Sequence, residues 1–177
     1  MFNKNTVYSI IVAAWISAIS QNIPFIKNFS YFLIIPNIPI ITLYFYIKSN
    51  KIKERIKYNK ILSLSILTGF ISAIFSNFFD VIITYFTKNN DLVTTLPEIE
   101  YVFNQIPSVN QTYIKEALNF LYAISNEITT YGFSLNYVFL SLFNFLLINL
   151  LFSFLGSFFS MYYINNIILP NILNNED

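Results

Sequence analysis

Four long apolar stretches constrain this chain more than any other feature of its sequence. They cover approximately residues 7–26, 29–47, 61–86 and 135–164. With 55% of its residues hydrophobic and 11% charged, the chain has too little charge for the surface of an ordinary soluble protein. A helix of about 20 apolar residues crosses the hydrocarbon core of a bilayer. We therefore expect an all-α fold, an integral membrane four-helix bundle that forms a single domain over residues 1–177.

A cluster of positive charge separates the second stretch from the third. Six of the ten basic side chains fall within residues 48–60: Lys48, Lys51, Lys53, Arg55, Lys57 and Lys60. Because short loops rich in Lys and Arg are retained in the cytoplasm during insertion, this segment predicts a cytoplasmic basic loop. With four spans, both termini are then cytoplasmic, and the protein is a multi-pass protein of the cell membrane. A lipid-headgroup or partner site is the alternative interpretation, whereas the net charge of +1 does not indicate a nucleic-acid partner.

The first apolar stretch is short for a membrane helix. Ser20, Gln21 and Asn22 interrupt it, and it reaches spanning length only if it extends to about Ile26. It could be fully spanning or re-entrant. Because Lys4 precedes it, a cleaved signal peptide is a further alternative.

The second apolar stretch contains Pro36 and Pro39 near its middle. Each proline removes a backbone donor and disfavours helix in the preceding residue, so we expect a kinked or broken helix there. Such a break exposes carbonyl groups to a bound ion in some transporters. In other membrane helices, packing against neighbouring helices absorbs it.

Small and polar residues recur at helical spacing in the third and fourth stretches. They are Gly69, Ala73, Ser76, Asn77 and Asp80 in the third, and Ser141, Asn144, Asn149, Ser153, Gly156 and Ser160 in the fourth. Residues at this spacing share a helix face, and small side chains there let two helices approach closely. We expect the two spans to pack antiparallel along these stripes. The register places Asn77 level with Asn144, Asp80 near Ser141, and Ala73 near Asn149.

Residues 87–134, between the third and fourth spans, form an acidic segment that the topology places outside the cytoplasm. A helix over about residues 109–130 is predicted to be amphipathic. Its apolar face would carry Ile114, Leu118, Leu121, Tyr122 and Ile128, and its polar face Lys115, Glu116, Asn119 and Glu127. A shorter helix is expected to follow Pro97 and to end before Pro107. The amphipathic extracytoplasmic helix would lie on the membrane or cap the bundle.

The lack of several reactive side-chain types argues against catalysis. The chain has no His and no Cys, which excludes imidazole acid–base chemistry, thiol nucleophiles and metal sites that need those ligands. Asp80 lies inside a predicted span, where no second carboxylate could share a proton with it and no basic side chain could pair with it. We therefore expect no enzyme, metal or cofactor. We interpret Asp80 as a helix-packing or interfacial residue, with an ion or proton site as the alternative.

Two functional classes remain open. As an accessory or scaffold subunit, the chain would pack with other membrane protein subunits, or with itself, within the lipid bilayer. As an oligomeric carrier or channel for a small solute or ion, it would need a polar path through the spans. The candidate path residues are Asp80, Asn77, Asn144 and Asn149. The scarcity of charge within the spans favours the accessory subunit.

The order of these features resembles small four-span bacterial membrane proteins grouped as domains of unknown function. The matching stretches are residues 10–26 with the Asn22-Ile23-Pro24 turn, residues 64–76, and residues 150–163 with Gly156. The resemblance covers most of the chain in layout. It implies a fold of four helices and a location in the cell membrane, and it implies nothing about activity.

Overall fold

A computed structural model describes residues 3–105 and 111–174 of the chain. The described part is 90% helical and contains no strand, which confirms the all-α prediction. The helices are α1 Lys4–Asn22, α2 Pro24–Phe29, α3 Ile38–Asn50, α4 Tyr58–Thr87, α5 Asp91–Asn104, α6 Gln111–Tyr131, α7 Leu135–Tyr163 and α8 Leu169–Asn174. A π-helical turn and a 3-10 turn, Ser30–Ile34 and Ile35–Asn37, connect α2 to α3. A second π-helical turn, Ile164–Ile168, connects α7 to α8.

Three helical segments of the described chain are long and apolar enough to cross a membrane. They are Pro24–Asn50, Tyr58–Thr87 and Leu135–Ile172. The α1 helix, with 19 residues and a length of roughly 28 Å, also has spanning length. It is less apolar because it contains several Ser residues and ends in Gln21 and Asn22.

The first predicted span does not extend to Ile26. The α1 helix ends at Asn22, because Ile23 has an extended backbone (φ −84°, ψ 119°) and Pro24 begins α2. A residue before proline is sterically disfavoured from helical geometry, which explains the position of this break. Near Pro36 and Pro39, where a kinked or broken helix was expected, the helical segment Pro24–Asn50 changes from α-helix to a π-helical turn and then to a 3-10 turn.

The chain divides into two compact units, Met1–Phe79 with Leu142–Asp177, and Asp80–Ser141. In the first unit, an apolar core forms around Ile10, Leu43, Ile47, Ile61, Leu64 and Ile164. Trp15 of α1 packs edge-on against Phe75 and Phe79 of α4, with ring centroids 5.7 and 5.3 Å apart. Short hydrogen bonds join the start of α1 to the end of α3: Asn3 Nδ2 to Asn50 Oδ1 (2.7 Å) and Asn5 Nδ2 to the Ser49 carbonyl (2.8 Å).

The second unit contains α5 and α6 and has its own small core. Ile124, Ile128 and Tyr137 are buried there, with Leu92 and Val93 packed against them. The predicted helix after Pro97 was placed too late in the chain. The α5 helix begins at Asp91 because Asn90 caps it, accepting a hydrogen bond from the Val93 N–H at 3.0 Å, and Pro97 lies inside it.

The α6 helix agrees with the predicted amphipathic helix over the described residues. Predicted positions 107, 109 and 110 lie outside those residues. Ile114, Leu118 and Ile128 are buried as expected, but Tyr122 is exposed. Its hydroxyl donates a hydrogen bond to Glu100 of α5.

Candidate functional site

Four polar side chains with no exposed surface meet inside the first unit. They are Ser17 and Gln21 of α1, Ser72 of α4 and Asn149 of α7. We call this group the amide–hydroxyl cluster. Three helices thus contribute hydrogen-bonding groups to one buried point.

The two amide side chains of the cluster bind each other reciprocally. Gln21 Nε2 donates to Asn149 Oδ1 at 3.2 Å, and Asn149 Nδ2 donates to Gln21 Oε1 at 3.0 Å. Asn149 Nδ2 also donates to the Phe145 carbonyl at 2.9 Å, one turn earlier in α7. Each amide therefore has a donor and an acceptor in use, which removes most of the penalty of burying it.

The two hydroxyl groups complete the cluster. Ser72 Oγ lies 2.8 Å from Ser17 Oγ and 3.0 Å from Asn149 Oδ1, and Gln21 Nε2 donates to Ser17 Oγ at 2.8 Å. A fully satisfied buried network stabilises one arrangement of the helices that carry it. The hydrogen bonds of the cluster can hold α1, α4 and α7 together.

The spacing of the residues explains why they meet. Ser17 and Gln21 are four residues apart, so both lie on one face of α1. On α4, the buried residues Ser65, Thr68, Ser72 and Ser76 follow steps of three and four. On α7, the buried residues Asn149, Ser153, Ser157 and Ser160 do the same. Each helix therefore directs one polar stripe into the interior of the first unit.

Gly69 lets α4 and α7 approach beside the cluster. A Cβ atom built on Gly69 would lie 2.9 Å from the Asn149 carbonyl oxygen and would overlap the Ser153 hydroxyl. Ala73, one turn further along α4, is fully buried, and its neighbour Ser72 is hydrogen-bonded to the Asn149 side chain. The two stripes therefore approach closely at Gly69.

Gly156 contacts the proline break of the second span. A Cβ atom on Gly156 would overlap the Pro36 carbonyl oxygen and would lie 3.1 Å from Pro39 Cγ. The backbone of α7 thus covers the Pro36 carbonyl. Packing against a glycine accommodates the break in this protein.

Asp80 belongs to the second unit and accepts a hydrogen bond from the Tyr137 hydroxyl of α7. Tyr137 is buried and Asp80 is half-buried. Tyr137 was not among the predicted partners of this carboxylate, for which only a second carboxylate and basic side chains were considered. The signal was present, because Tyr137 precedes the expected neighbour Ser141 by one helical turn.

The other predicted site residues have different surroundings. Asn77 is buried in the first unit, whereas Asn144 is exposed and takes no part in the amide–hydroxyl cluster. In the basic loop, Lys48, Lys51, Lys53, Arg55 and Lys57 are exposed and Lys60 is half-buried. Ser17, Gln21 and Ser72 were not predicted as members of the cluster. The four-residue spacing of Ser17 and Gln21 is the signal in the sequence, because it indicates a shared polar face on α1.

The described residues contain no group of three or more carboxylates that could hold a metal ion. In comparisons with known proteins, no family model, no curated protein and no solved structure matches this chain.

Proposed function

We propose that the protein is a multi-pass membrane protein that acts as a non-enzymatic accessory or scaffold subunit. Its four membrane-crossing segments would be α1, Pro24–Asn50, α4 and Leu135–Ile172. The basic loop and both termini would face the cytoplasm. The acidic segment 87–134 would lie on the opposite side of the membrane.

The distribution of side chains supports insertion into a membrane. Buried positions of the first unit carry many Ser and Thr residues, whereas large aromatic side chains are exposed. Phe25, Phe32 and Phe159 are 89%, 78% and 76% exposed. A protein surrounded by water would bury such groups, whereas a protein surrounded by lipid gains nothing by doing so.

Contacts at one end of the first unit support the proposed topology. Asn3 and Asn5 bind the last residues of α3, and Asn165 after α7 binds the backbone of Ile56 in the basic loop. The start of α1, the loop before α4 and the end of α7 therefore share one end of this unit. In the proposed topology an even number of crossings separates these three points, so they would lie on one side of a membrane, in agreement with the positive charge of the loop.

The hydrogen bonding within the amide–hydroxyl cluster favours a scaffold over a carrier. Its amide groups bind one another, so each amide uses a donor and an acceptor within the protein and not on a solute. The outer faces of α4 and α7 offer a different feature, an apolar groove of about 530 Å³ lined by Ile66, Leu67, Phe70 and Leu150. A groove of this kind suits the side chains of another membrane helix.

One observation favours the second candidate, an oligomeric small-solute or ion carrier or channel. The Ser76 and Ser153 hydroxyls are buried and have no hydrogen-bond partner in the described structure. Unsatisfied hydroxyls in line with the cluster could bind a solute or water. Reconstituted vesicles separate the candidates: a carrier gives a solute flux that Asn149→Leu alters, and a scaffold gives none.

Single-cysteine labelling tests the topology, because the chain has no native Cys. An impermeant maleimide applied to intact cells should label Thr94→Cys and should spare Lys53→Cys until the membrane is opened. Labelling of Lys53→Cys in intact cells would contradict the proposal.

Co-purification tests the scaffold role. After gentle solubilisation, we expect a partner of fixed stoichiometry that is lost in Ile66→Ala/Phe70→Ala. The control Phe29→Ala/Phe32→Ala removes exposed apolar side chains elsewhere and should retain the partner. Equal retention by both variants would show that the groove is not the contact surface.

A further inference from the structure

The basic loop forms one wall of an open groove in the first unit. The groove has a volume of about 460 Å³ and includes Lys51, Lys53, Arg55, Lys57 and Lys60. Glu54 is its one acidic lining residue. This excess of positive charge makes the groove complementary to an anion.

A second groove adjoins the first and is largely apolar. Its volume is about 480 Å³, and it shares Arg55, Ile56 and Lys57 with the basic groove. Its remaining lining includes Tyr58, Phe158, Met161 and Tyr162. Phe158, Met161 and Tyr162 are between 42% and 69% exposed, so the surface is open to a ligand. Positive charge and an apolar surface thus meet at the same two basic residues.

Asn165 holds the backbone between those two residues. The Ile56 N–H donates to Asn165 Oδ1 at 2.9 Å, and Asn165 Nδ2 donates to the Ile56 carbonyl at 3.1 Å. The Ile56 side chain is buried in the core of the first unit. Arg55 and Lys57 therefore project from a backbone that is fixed before any ligand arrives, which lowers the entropic cost of binding.

We propose that the two grooves bind one anionic phospholipid, with its phosphate between Arg55 and Lys57 and an acyl chain along Phe158, Met161 and Tyr162. The inference rests on the proposed membrane location, which places both grooves at the cytoplasmic interface. Basic residues at this interface attract anionic lipids. The apolar groove favours a lipid over free phosphate, because free phosphate would leave that surface uncovered.

Native mass spectrometry of the purified full chain measures the binding. Phosphatidylglycerol and phosphatidylcholine with the same acyl chains serve as probes, and inorganic phosphate is added as a competitor. We expect phosphatidylglycerol to bind more tightly, and millimolar phosphate to displace little of it. No preference between the lipids would overturn the proposal, and full displacement by phosphate would assign the groove to free anions.

One double variant and a matched control test the two basic residues. Arg55→Gln/Lys57→Gln should weaken phosphatidylglycerol binding by about thirtyfold, since each of the two basic residues near the surface contributes ~1 kcal/mol. The control Lys4→Gln/Lys115→Gln removes the same charge from exposed positions outside both grooves and should leave binding unchanged. An equal loss in the control would attribute the effect to net charge and overturn the site.

The Asn165→Ala variant separates a built site from diffuse attraction. It keeps every charge but releases the Ile56 backbone, so we expect weaker phosphatidylglycerol binding with unchanged helicity. Unchanged affinity would refute the fixed site. Stable insertion into phosphatidylcholine vesicles without any preference for phosphatidylglycerol would reject the lipid site alone. Failure to insert would reject the proposed function as well.

Discussion

Replacing Asn149 with Leu tests whether the amide–hydroxyl cluster stabilises the fold. The substitution keeps a side chain of similar size but leaves Gln21 Oε1 without its donor at 3.0 Å. The Ser72 hydroxyl keeps Ser17 Oγ at 2.8 Å. Because an unsatisfied buried acceptor costs about 1–3 kcal/mol, we expect the free energy of unfolding to fall by about 2 kcal/mol.

Gln21→Leu should cost less, because its partner keeps other hydrogen bonds. Asn149 still binds the Phe145 carbonyl at 2.9 Å and the Ser72 hydroxyl at 3.0 Å. Gln21 is hydrogen-bonded to Asn149 and Ser72 on two other helices, and interhelical hydrogen bonds in membranes contribute about 0.6 kcal/mol each on average, so we expect a loss of about 1 kcal/mol. In the double variant neither amide remains unsatisfied. Its loss should therefore fall about 1 kcal/mol short of the sum of the single losses.

Reversible unfolding by dodecyl sulfate in mixed micelles measures these values. Trp15 is the single Trp of the chain and packs between Phe75 and Phe79, so its fluorescence reports the separation of α1 from α4. Circular dichroism reports the loss of helix in the same samples. Losses that add within about 0.5 kcal/mol would refute the coupling between the two amides.

Three further perturbations test other parts of the fold. Gly156→Ala forces a methyl group against the Pro36 carbonyl, and overpacking of this kind costs about 1–3 kcal/mol in the same unfolding assay. Gly132→Ala should also destabilise the chain, because Gly132 has a φ of +76° and its Cβ would meet a backbone carbonyl; an unchanged midpoint would contradict this. The hydrogen bond to Glu100 raises the pKa of Tyr122 above its usual value of 10.0. The contact between α5 and α6 therefore contributes stability below pH 10, and this contribution is lost as the pH rises through the raised pKa. Ultraviolet titration of phenolate, compared with Tyr122→Phe, should show one late-titrating tyrosine fewer in the variant.

Much of the helical layout was predictable from local patterns. The apolar stretches, the proline break and the amphipathic helix each depend on residues close together in the chain. Two errors concerned helix ends. The α5 helix begins earlier in the chain than predicted, after the cap Asn90, and the α1 helix ends earlier than predicted, before Ile23. Capping and the restriction before proline decided these ends.

The candidate site was predictable only in part. Asn149 and Gly69 were identified from their spacing on single helices, and both lie at the contact between α4 and α7. Gln21 was not identified, because its partner Asn149 is 128 residues away. No periodicity within one helix indicates which polar face another helix will meet.

Hydrophobicity, helical period and charge are properties of neighbouring residues, so an apolar, helical chain with one strongly basic loop could be predicted before the fold was known. Which polar groups find hydrogen-bond partners depends on the packing of distant helices. The tertiary structure paired Gln21 with Asn149, placed Tyr137 on Asp80, and fixed Ile56 with Asn165. Each of these pairs joins distant parts of the chain, and a buried polar group is stable only where such a partner arrives with the right geometry.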